Sequence, residues 1–592
     1  MRRDSLDRVI VLAIAAATFL TGLGATHLWD EDEGYFAGTA AEMFRSGAWL
    51  VPSFNGALFA HKPPLMYWGM EAGFSLLGHG EWGARLGSAV FGVLTALLTR
   101  ELGTRLFGRR AGLLAGAAMG SNVMFTVVAR AATADAYLTC AFTAAVTAWV
   151  HWSPGFARNP DGTGTAPRVS GPGNWIPDGR RGLVFAYLAM AVALLTKGPV
   201  GVLLPMTILA AFAAWESGQG TGGPGVQARR AIAALPGTVW RMRPVMALLV
   251  VGVAAGWWFV AVQVQGPGDF LGEFLGFHNI QRFLRPMEHH SGPLVYYVPV
   301  IWVGFFPWSI FLLPAIAWLR RRLARGTESA VSHRERAAWH LMFWWCAVVL
   351  VFFSLSQTKL PNYILPLYPA LAVTAGACLA SWTEHATWPW GWWARLAFRS
   401  LASVGLAFLV LVPAVSLLHY DGLPLLVYAQ VHPELSRALW PVGLVGVPLL
   451  VGGWLCLSAV GRGAAAHMVT TFMIMAPAFC LALLMVAAAY VNRFQSSPAV
   501  AAAILERTGG ASARVATFHL NSPTLVFYLR QTVPSLAEND LRGHLAHEDG
   551  LLVTTDEGLD AMPADVRTAL VPVYTRARFP KPGTVMVLAR RP

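Results

Sequence analysis

The sequence is poor in charged residues and in cysteine. Only 13% of its 592 residues are charged, and Asp and Glu together number 31. So little charge does not suit the surface of a water-soluble chain of this length, whereas 55% hydrophobic residues and a mean hydropathy of +0.51 are typical of an integral membrane protein. All five cysteines fall within apolar stretches, which excludes a disulfide framework and a Cys-x-x-Cys metal site in the loops.

The sequence also lacks internal repeats, so it gives no support to a transporter built from inverted repeats. Its 44 Lys and Arg residues give a net charge of +13, but they lie in short, scattered loops and form no continuous basic face. This distribution argues against nucleic-acid binding. We interpret the basic residues mainly as markers of membrane topology.

What is present is a series of apolar stretches of about 20 residues, the length that crosses the hydrocarbon core of a bilayer. They predict a polytopic α-helical membrane protein with about 13 transmembrane helices. The predicted spans lie near residues 9–26, 84–104, 111–128, 131–150, 183–197, 199–215, 244–262, 294–318, 338–355, 362–382, 398–418, 438–460 and 466–490. Residues 183–215 can also be interpreted as one long segment.

The arginine-rich connections, such as those at Arg109 and Arg320, lie on the same side of the predicted spans as the N-terminus. The positive-inside rule makes that side cytoplasmic. An odd number of spans then places the C-terminus outside, together with two outer loops at 28–82 and 263–293. Both loops belong to a predicted transmembrane domain of residues 1–491.

The character of the chain changes at about residue 492. Short strand-like runs at 515–520, 551–555 and 585–589 alternate with helix-compatible stretches. They predict a small, soluble α/β domain over residues 492–592, on the outer side of the membrane.

Four consecutive carboxylates, Asp30-Glu31-Asp32-Glu33, directly follow the first apolar stretch. Packed like charges repel one another, which suits a general base or a cation site. The alternative is a solvated loop that ends the first helix. Farther along the first outer loop, residues 37–44 and 62–77 have helical spacing, and the second of these is amphipathic.

Lysine is rare, with four residues against 40 arginines. Because most basic positions are arginine, the remaining lysines mark places where a compact ammonium is needed. Lys62, Lys197 and Lys359 lie on the outer side, and Lys581 lies in the tail. The alternative is that they are interfacial residues that extend their ammonium groups to water.

The second outer loop contains His278, Arg282 and, farther on, Glu288-His289-His290. A guanidinium suits bidentate binding of phosphate. The histidines can bind a metal or only form hydrogen bonds, and no tight His-x-x-His pair is present.

An intramembrane carboxylate, Asp135, follows Arg130 at the outer start of the fourth span. It is either a functional residue or the partner of Arg130 in a structural pair.

Together these residues predict an outward site with carboxylates on one side and cations on the other. Such a site fits deprotonation of an acceptor hydroxyl by Asp while cations neutralise a departing phosphate. The apolar surroundings indicate that the phosphate belongs to a lipid. The competing interpretations are a transporter or flippase for an anionic lipid-linked solute and a non-catalytic assembly protein.

The motifs resemble those of the GT-C superfamily of membrane glycosyltransferases, in particular the bacterial lipid A 4-amino-4-deoxy-L-arabinose transferase and protein O-mannosyltransferase-like family. Asp32-Glu33-Gly34-Tyr35-Phe36-Ala37 resembles the Asp-Glu loop of the family, and His61-Lys62-Pro63-Pro64 resembles its Glu-Lys-Pro-Pro motif. The segments around Asp135 and Lys197, and residues 278–283, 290–297 and 359–366, follow in the expected order.

The resemblance implies an inverting transfer of a sugar from a polyprenyl-phosphate donor at the periplasmic face of the bacterial inner membrane. The acceptor would be a lipid A-like molecule, another glycan or a protein. Asp32 would be the general base or the acceptor-positioning carboxylate, with Glu33 beside it and Asp135 supporting the site. The donor phosphate would be bound by Lys62, Arg282, Tyr363 and Lys359. Supporting positions would be Lys197, His278, His290 and Tyr35.

Three positions depart from the family pattern. His61 stands where the family often has Glu, Phe36 replaces a usual Tyr, and Tyr35 occupies a position that is Arg in the lipid A transferases. The resemblance does not firmly imply any cofactor. A divalent metal is possible, with His61 and His278 as the candidate ligands.

Overall fold

The structure is a computed structural model, and it describes residues 2–157, 175–287, 290–324, 332–385, 391–417, 440–510, 513–547, 549–578 and 582–591. Glu288, His289 and Lys581, which the sequence analysis singled out, lie outside the described residues. Up to residue 492 the described chain is almost entirely helical apart from one short hairpin. The first part consists of α1 (Arg2–Leu20), α2 (Asp32–Ser46), β1 (Ser53–Phe54), β2 (Ala57–Leu58), α3 (Leu65–Leu77), α4 (Glu81–Phe107), α5 (Arg109–Gly120), α6 (Val123–Ala129), α7 (Asp135–Trp152), α8 (Arg180–Lys197) and α9 (Val200–Ser217).

The next helices are interrupted by π-helical and 3-10 segments. They are α10 (Pro224–Arg241), α11 (Pro244–Val251), α12 (Trp257–Gln265), α13 (Arg282–Leu284), α14 (Tyr297–Gly304), α15 (Leu312–Ala324), α16 (His333–Leu355), α17 (Tyr368–His385) and α18 (Gly391–Leu417), followed by Gly446–Gly461, Ala465–Ala482 and Ala489–Asn492. A π-helical segment, Gly272–Gln281, leads into α13, and a 3-10 segment, Pro361–Leu367, leads into α17.

Eight helical segments in the described part are long and apolar enough to cross a membrane, or up to ten if two bent helix pairs count as one span each. The polytopic helical fold is therefore confirmed, while the count of about 13 stays a prediction. Two predicted spans fall on helices that carry many charges. In α1 these are concentrated in the first two turns, and α8 begins with Arg180 and Arg181 and ends with Lys197.

Residues 183–215 form two helices rather than one long segment. The α8 helix ends at Lys197 and α9 begins at Val200. Gly198 between them has φ of +82°, which favours glycine, and a Cβ there would lie 2.6 Å from the ring of Phe274. Pro199, whose ring fixes φ at a value compatible with a helix, directly precedes α9. The break leaves Lys197 at a helix C-terminus, where a cation is favoured.

The segment between α1 and α4 is ordered and has its own core. Apolar side chains of α2 and α3, including Phe36, Met43, Met66 and Phe74, pack with Phe527 from the C-terminal part of the chain. The two helices coincide with the stretches whose spacing predicts them. Because this core includes Phe527, the segment between α1 and α4 packs directly against the C-terminal part of the chain.

Residues 497–590 contain a four-stranded mixed sheet. Its strands are β3 (Arg514–Thr517), β4 (Gly550–Thr555), β5 (Leu570–Ala577) and β6 (Thr584–Arg590), in the order β3-β4-β6-β5. The β3 and β4 strands are parallel, and the other two pairs are antiparallel. The helices of this part are Ser497–Arg507, Pro523–Leu529, Leu541–Leu545, Asp556–Asp560 and Ala564–Thr568.

Side chains of each strand alternate between the two faces of the sheet, and apolar side chains from other elements cover both faces. Val515 and Val553 pack on one side, with Val500 and Ile504 of the helix Ser497–Arg507. Ala516 and Leu552 pack on the other side with other helices. The result is an α/β arrangement of three layers. We call residues 497–590 the C-terminal unit.

Candidate functional site

The four carboxylates of the acidic run have different surroundings. Glu33 is 3% exposed and receives two hydrogen bonds from Arg85, at 2.8 and 2.7 Å. The backbone N–H groups of Trp29 and Ala132 donate to the same carboxylate at 3.0 and 2.7 Å. Arg85 is 3% exposed and also donates to the carbonyls of residues 23, 26 and 27. The sequence analysis places Glu33 beside Asp32 as a catalytic carboxylate. In the structure Glu33 is instead a buried ion-pair residue that fixes the turn.

Asp30 is held by the C-terminal unit. Its carboxylate accepts hydrogen bonds from the hydroxyls of Ser497 and Thr524, and from the Thr524 backbone N–H at 3.0 Å. Next to it, Gly34 packs so closely on this unit that a Cβ would lie 2.7 Å from the Thr524 nitrogen. Tyr35, predicted as a supporting residue, donates from its hydroxyl to Asn521 at 3.0 Å. The turn that carries the acidic run is thus attached to a segment almost 500 residues away.

Asp32 is the first residue of α2, and its side chain is exposed. Asp32 lies between the anchored residues Asp30 and Glu33, which hold this part of the chain in place without burying the Asp32 side chain. Its charge acts on Lys62 and raises the pKa of that ammonium. The role of Asp32 as general base or acceptor-positioning carboxylate stays a prediction, and its charge is close enough to act on Lys62.

Three of the four cations predicted for the site, Lys62, Lys197 and Arg282, line the same cavity. Lys197 lies over the ring of Tyr363, with Nζ 4.9 Å from the ring centroid, and Arg282 donates to the Tyr363 hydroxyl at 3.2 Å. Lys62 is half-buried, with Nζ 5.9 Å from the centroid of the Phe36 ring, and donates to the His61 carbonyl at 3.1 Å. We call Lys62, Lys197 and Arg282, together with Tyr363, the cation wall.

Like charges dominate this wall. Burial and repulsion by Lys197 and Arg282 lower the pKa of Lys62 to about 7. Asp135 and Asp32 raise it, but their attraction ranks below both repulsions. An anion placed here would stabilise the protonated ammonium.

Asp135 supports the wall from behind. It is buried, pairs with Lys197, and accepts a hydrogen bond from the Asn362 amide at 2.8 Å. Arg130 is not its partner, because that guanidinium donates to the carbonyls of residues 18, 19, 21 and 22. The alternative of an Arg130–Asp135 pair is therefore wrong. The sequence analysis did not select Asn362, although it lies next to Tyr363 in a motif already recognised.

A cavity of about 510 Å³ lies against the cation wall. Its polar lining includes all four wall residues. The remainder is mostly apolar, and includes Leu138, Val200, Leu203, Phe274, Phe283 and Phe353. A cavity with a cationic patch and an apolar remainder has the chemistry to hold a phosphate attached to a hydrocarbon chain.

His61 and His278 also line this cavity, with ring centroids 4.1 Å apart. Burial and the neighbouring positive groups lower the pKa of His61 to about 3 and that of His278 to about 4, so both rings are neutral at physiological pH. In the described ranges no group of three or more His, Cys, Asp or Glu side chains could hold a metal ion. Two adjacent imidazoles alone fall short of the ligand set of a structural or catalytic zinc site.

Two predicted residues lie away from the cavity. The Lys359 ammonium donates to the carbonyls of Ser354 and Ser356 at the end of α16, so it satisfies helix carbonyls instead of facing a phosphate. His290 is exposed, and its carbonyl accepts the Lys359 backbone N–H at 2.9 Å. Neither residue lines the cavity. The placement of Lys359 corrects its predicted role.

The fold and this arrangement define a polytopic membrane protein with a helical segment between α1 and α4, a cation-lined cavity and a C-terminal α/β unit. The fold is similar to the crystal structure of ArnT from Cupriavidus metallidurans bound to undecaprenyl phosphate. The match covers 98% of this chain and 97% of that chain, with a TM-score of 0.71 and 23% sequence identity. Residues 61–153 match the family of dolichyl-phosphate-mannose-protein mannosyltransferases.

Several curated proteins are similar to this chain in amino-acid sequence. An undecaprenyl phosphate-alpha-4-amino-4-deoxy-L-arabinose arabinosyl transferase of Pectobacterium carotovorum is 28% identical over 77% of each chain, and one of Sodalis glossinidius is 29% identical over 61% of this chain. An uncharacterised protein of Aquifex aeolicus is 25% identical over 63% of this chain. The matches to the Aquifex and Sodalis proteins cover 64% and 58% of the relatives' own lengths. The predicted resemblance to GT-C glycosyltransferases of the ArnT type is confirmed.

Proposed function

We propose that the protein is an inverting glycosyltransferase that moves a sugar from a polyprenyl-phosphate donor to an acceptor hydroxyl at the periplasmic face of the bacterial inner membrane. The observation that carries the proposal is the cavity whose wall combines Lys62, Lys197, Arg282 and Tyr363 with apolar side chains. Among the relatives, the Pectobacterium protein is named as a transferase that uses an undecaprenyl-phosphate-linked sugar. The same class of donor fits this cavity.

In the proposed reaction Asp32 accepts the proton of the acceptor hydroxyl. The acceptor oxygen forms a bond to the anomeric carbon, and the bond from that carbon to the phosphate oxygen breaks with its electron pair going to the phosphate. Lys62 and Arg282 stabilise the charge that develops on the leaving phosphate, and the Tyr363 hydroxyl adds a hydrogen bond. Asp135 holds Lys197 in position through their ion pair.

The same proposal gives the chain about 13 spans, a cytoplasmic N-terminus and a periplasmic C-terminal unit. Under this topology Asp32 and the cation wall lie on the outer side. The sites of transporters lie near the bilayer midplane, between repeated halves of the chain. The clustering of the charged groups at helix ends favours the transferase over the flippase.

The test is sugar transfer by the purified full chain in sealed proteoliposomes, from a polyprenyl-phosphate-linked sugar to candidate lipid, glycan and peptide acceptors. Asp32→Asn and Lys62→Ala are compared with wild type, and Asp565→Asn, which changes an exposed carboxylate, is the matched control. We expect both site variants to lose transfer and the control to retain it. Full turnover in both site variants would refute the assigned site, and movement of the lipid-linked solute without sugar transfer would establish the flippase.

A further inference from the structure

The helix α10 lies across the end of α9, on the side of the molecule opposite the cation wall. The α9 helix starts close to Lys197 of that wall and is a candidate membrane span, so its end at Ser217 lies on the other side of the membrane. At that end a Cβ on Gly218 would lie 2.7 Å from the backbone nitrogen of Ala231, in the middle of α10. The next candidate span, Pro244–Gln265, begins just after α10 ends. In a bilayer α10 therefore lies where the membrane meets water.

The surface of α10 is divided into three faces. Ala231 and Thr238 form a buried face against the rest of the protein. Ile232 and Val239, about two turns apart, share a second face and are 70% and 38% exposed. Arg241 follows Ile232 by about two and a half turns and so lies on the opposite face. Separate apolar and basic faces are typical of a helix that lies in the plane of a membrane surface.

The positive charge of this region lacks a carboxylate that could neutralise it. The stretch 217–268 contains no Asp or Glu, but it has four arginines, which are Arg229, Arg230, Arg241 and Arg243. In the described ranges none of the four guanidiniums forms an ion pair with the protein. Guanidiniums without a counter-charge at a membrane boundary attract anions.

Two of these arginines line a cavity at the end of α10. The cavity has a volume of about 340 Å³, and Arg241 and Arg243 form one of its walls. The facing wall comes from the start of α8 and the segment before it, and includes one carboxylate, that of Asp178. Tyr187 of α8 fixes this end of α10, because its hydroxyl donates to the carbonyl of the buried Met242. Two guanidiniums against one carboxylate leave a net positive charge, which suits a phosphate.

The apolar face distinguishes a lipid from other anionic partners. A soluble polyanion would neutralise the arginines but would leave Ile232 and the 75% exposed Trp240 in contact with water. An anionic phospholipid has a phosphate next to hydrocarbon, so one partner satisfies both faces. An interfacial helix sinks roughly 5–10 Å into the boundary between headgroups and acyl chains, which places its basic face at the level of the headgroup phosphates. The indole of Trp240 also favours this boundary.

We propose that α10 lies in the plane of the membrane surface and binds anionic phospholipids there. Ile232 and Val239 contact the acyl chains, and the cavity between Arg241, Arg243 and α8 receives a headgroup phosphate. The proposed topology makes this the cytoplasmic surface. The assignment does not depend on sugar transfer, because α10 lies on the side of the membrane opposite the donor cavity.

The test is hydrogen exchange of the α10 backbone, followed by mass spectrometry, in the full chain in nanodiscs. The discs contain phosphatidylcholine alone or phosphatidylcholine with phosphatidylglycerol. One arginine near an anionic surface contributes about fivefold, so we expect phosphatidylglycerol to slow exchange by about 25-fold in wild type. Arg241→Gln and Arg243→Gln should each retain only about fivefold slowing. Arg462→Gln is the matched control, because Arg462 is also exposed and follows a different candidate span, and it should keep the full slowing.

Equal exchange in the two kinds of disc would overturn the proposal, as would wild-type slowing in both arginine variants. Arg241→Lys keeps the charge, should retain most of the slowing, and replaces Arg241→Gln if that variant misfolds. Ile232→Ser should accelerate exchange at least about fivefold in both discs, and no acceleration would show that the apolar face stays outside the membrane. Inositol hexakisphosphate is added to phosphatidylcholine discs as a soluble anion. Slowing as large as that by phosphatidylglycerol would assign the arginines to a soluble ligand and refute lipid binding.

Discussion

The acidic turn and the cation wall are both rich in charge, but they differ in how that charge is balanced. In the turn, Glu33 is saturated by Arg85 and two backbone N–H groups, and Asp30 by hydroxyls and an N–H of the C-terminal unit. In the wall, repulsion by Lys197 and Arg282 outranks the attraction that Lys62 receives. A saturated charge fixes the position of the chain, whereas a cluster of like charges beside a cavity specifies a ligand. Asp32 lies where these two kinds of region meet.

The first prediction tests whether Asp32 differs in function from the cation wall, and the largest expected effect is on turnover. Asp32→Asn removes the exposed carboxylate while both anchored neighbours keep their bonds. General base catalysis contributes about 10²–10⁴-fold, so we expect kcat to fall by about that factor with donor affinity unchanged. Single-turnover transfer assays measure the first quantity, and binding of undecaprenyl phosphate measures the second. A parallel loss of donor affinity would show that Asp32 belongs to the wall.

The next effect is on stability. Glu33→Gln leaves the Arg85 guanidinium buried without its counter-charge, and breaking a buried pair costs about 3–5 kcal/mol. Unfolding in a denaturant titration should show a loss of this size. Arg542→Met breaks the exposed pair with Asp565, in which both side chains are about 60% exposed, and should cost at most about 1 kcal/mol. Equal losses in the two variants would contradict the structural assignment of Glu33.

The cation wall predicts a pH dependence of donor binding. Phosphate binding raises the pKa of Lys62 above its value of about 7 in the empty wall. As the pH rises above 7, the free protein loses the Lys62 proton and the affinity for the phosphate falls by up to about tenfold per pH unit. The fall ends at the pKa that Lys62 has in the complex. Calorimetry with undecaprenyl phosphate from pH 7 to 9 measures this slope. Lys62→Arg keeps its charge throughout this range and should give a flat profile, and the same slope in both proteins would refute the assignment.

The smallest effect concerns the attachment of the turn to the C-terminal unit. Asp30→Asn keeps an oxygen acceptor but removes the charge from its hydrogen bonds, which should weaken the attachment by about 1–2 kcal/mol. Hydrogen exchange at the start of the helix Pro523–Leu529 should then accelerate by about 5- to 30-fold. Asp556→Asn, which changes a carboxylate bonded to Thr584 elsewhere in the same unit, is the control and should leave that helix unchanged. Unaltered exchange in Asp30→Asn would show that other contacts hold the turn.

Much of this arrangement could be predicted from residue type and order. Lysine stands out against 40 arginines, and Lys62 and Lys197, which the sequence analysis predicts on the same side of the membrane, line one cavity in the structure. Helical spacing predicts α2 and α3, and short strand-like runs predict β4 and β6. These signals are local or compositional, so a single sequence carries them.

The rest depends on partners that the sequence does not reveal. Arg85 lies at the start of a predicted span, where an arginine is equally expected at the interface, and only its contact with Glu33 shows its role. Lys359 looks equivalent to Lys62 in the sequence, but the end of α16 supplies carbonyls that take its ammonium. The anchoring of Asp30 depends on a unit that begins at residue 497.

The bond between Asp30 and Thr524 has a consequence for biosynthesis. The ribosome makes the acidic turn early and its partner 494 residues later. At about 5–20 residues per second, the interval is roughly 25 to 100 s. During that time the turn has only the contacts of Glu33 with Arg85 and nearby backbone N–H groups, and the attachment of Asp30 forms after the last segment of the chain has been made.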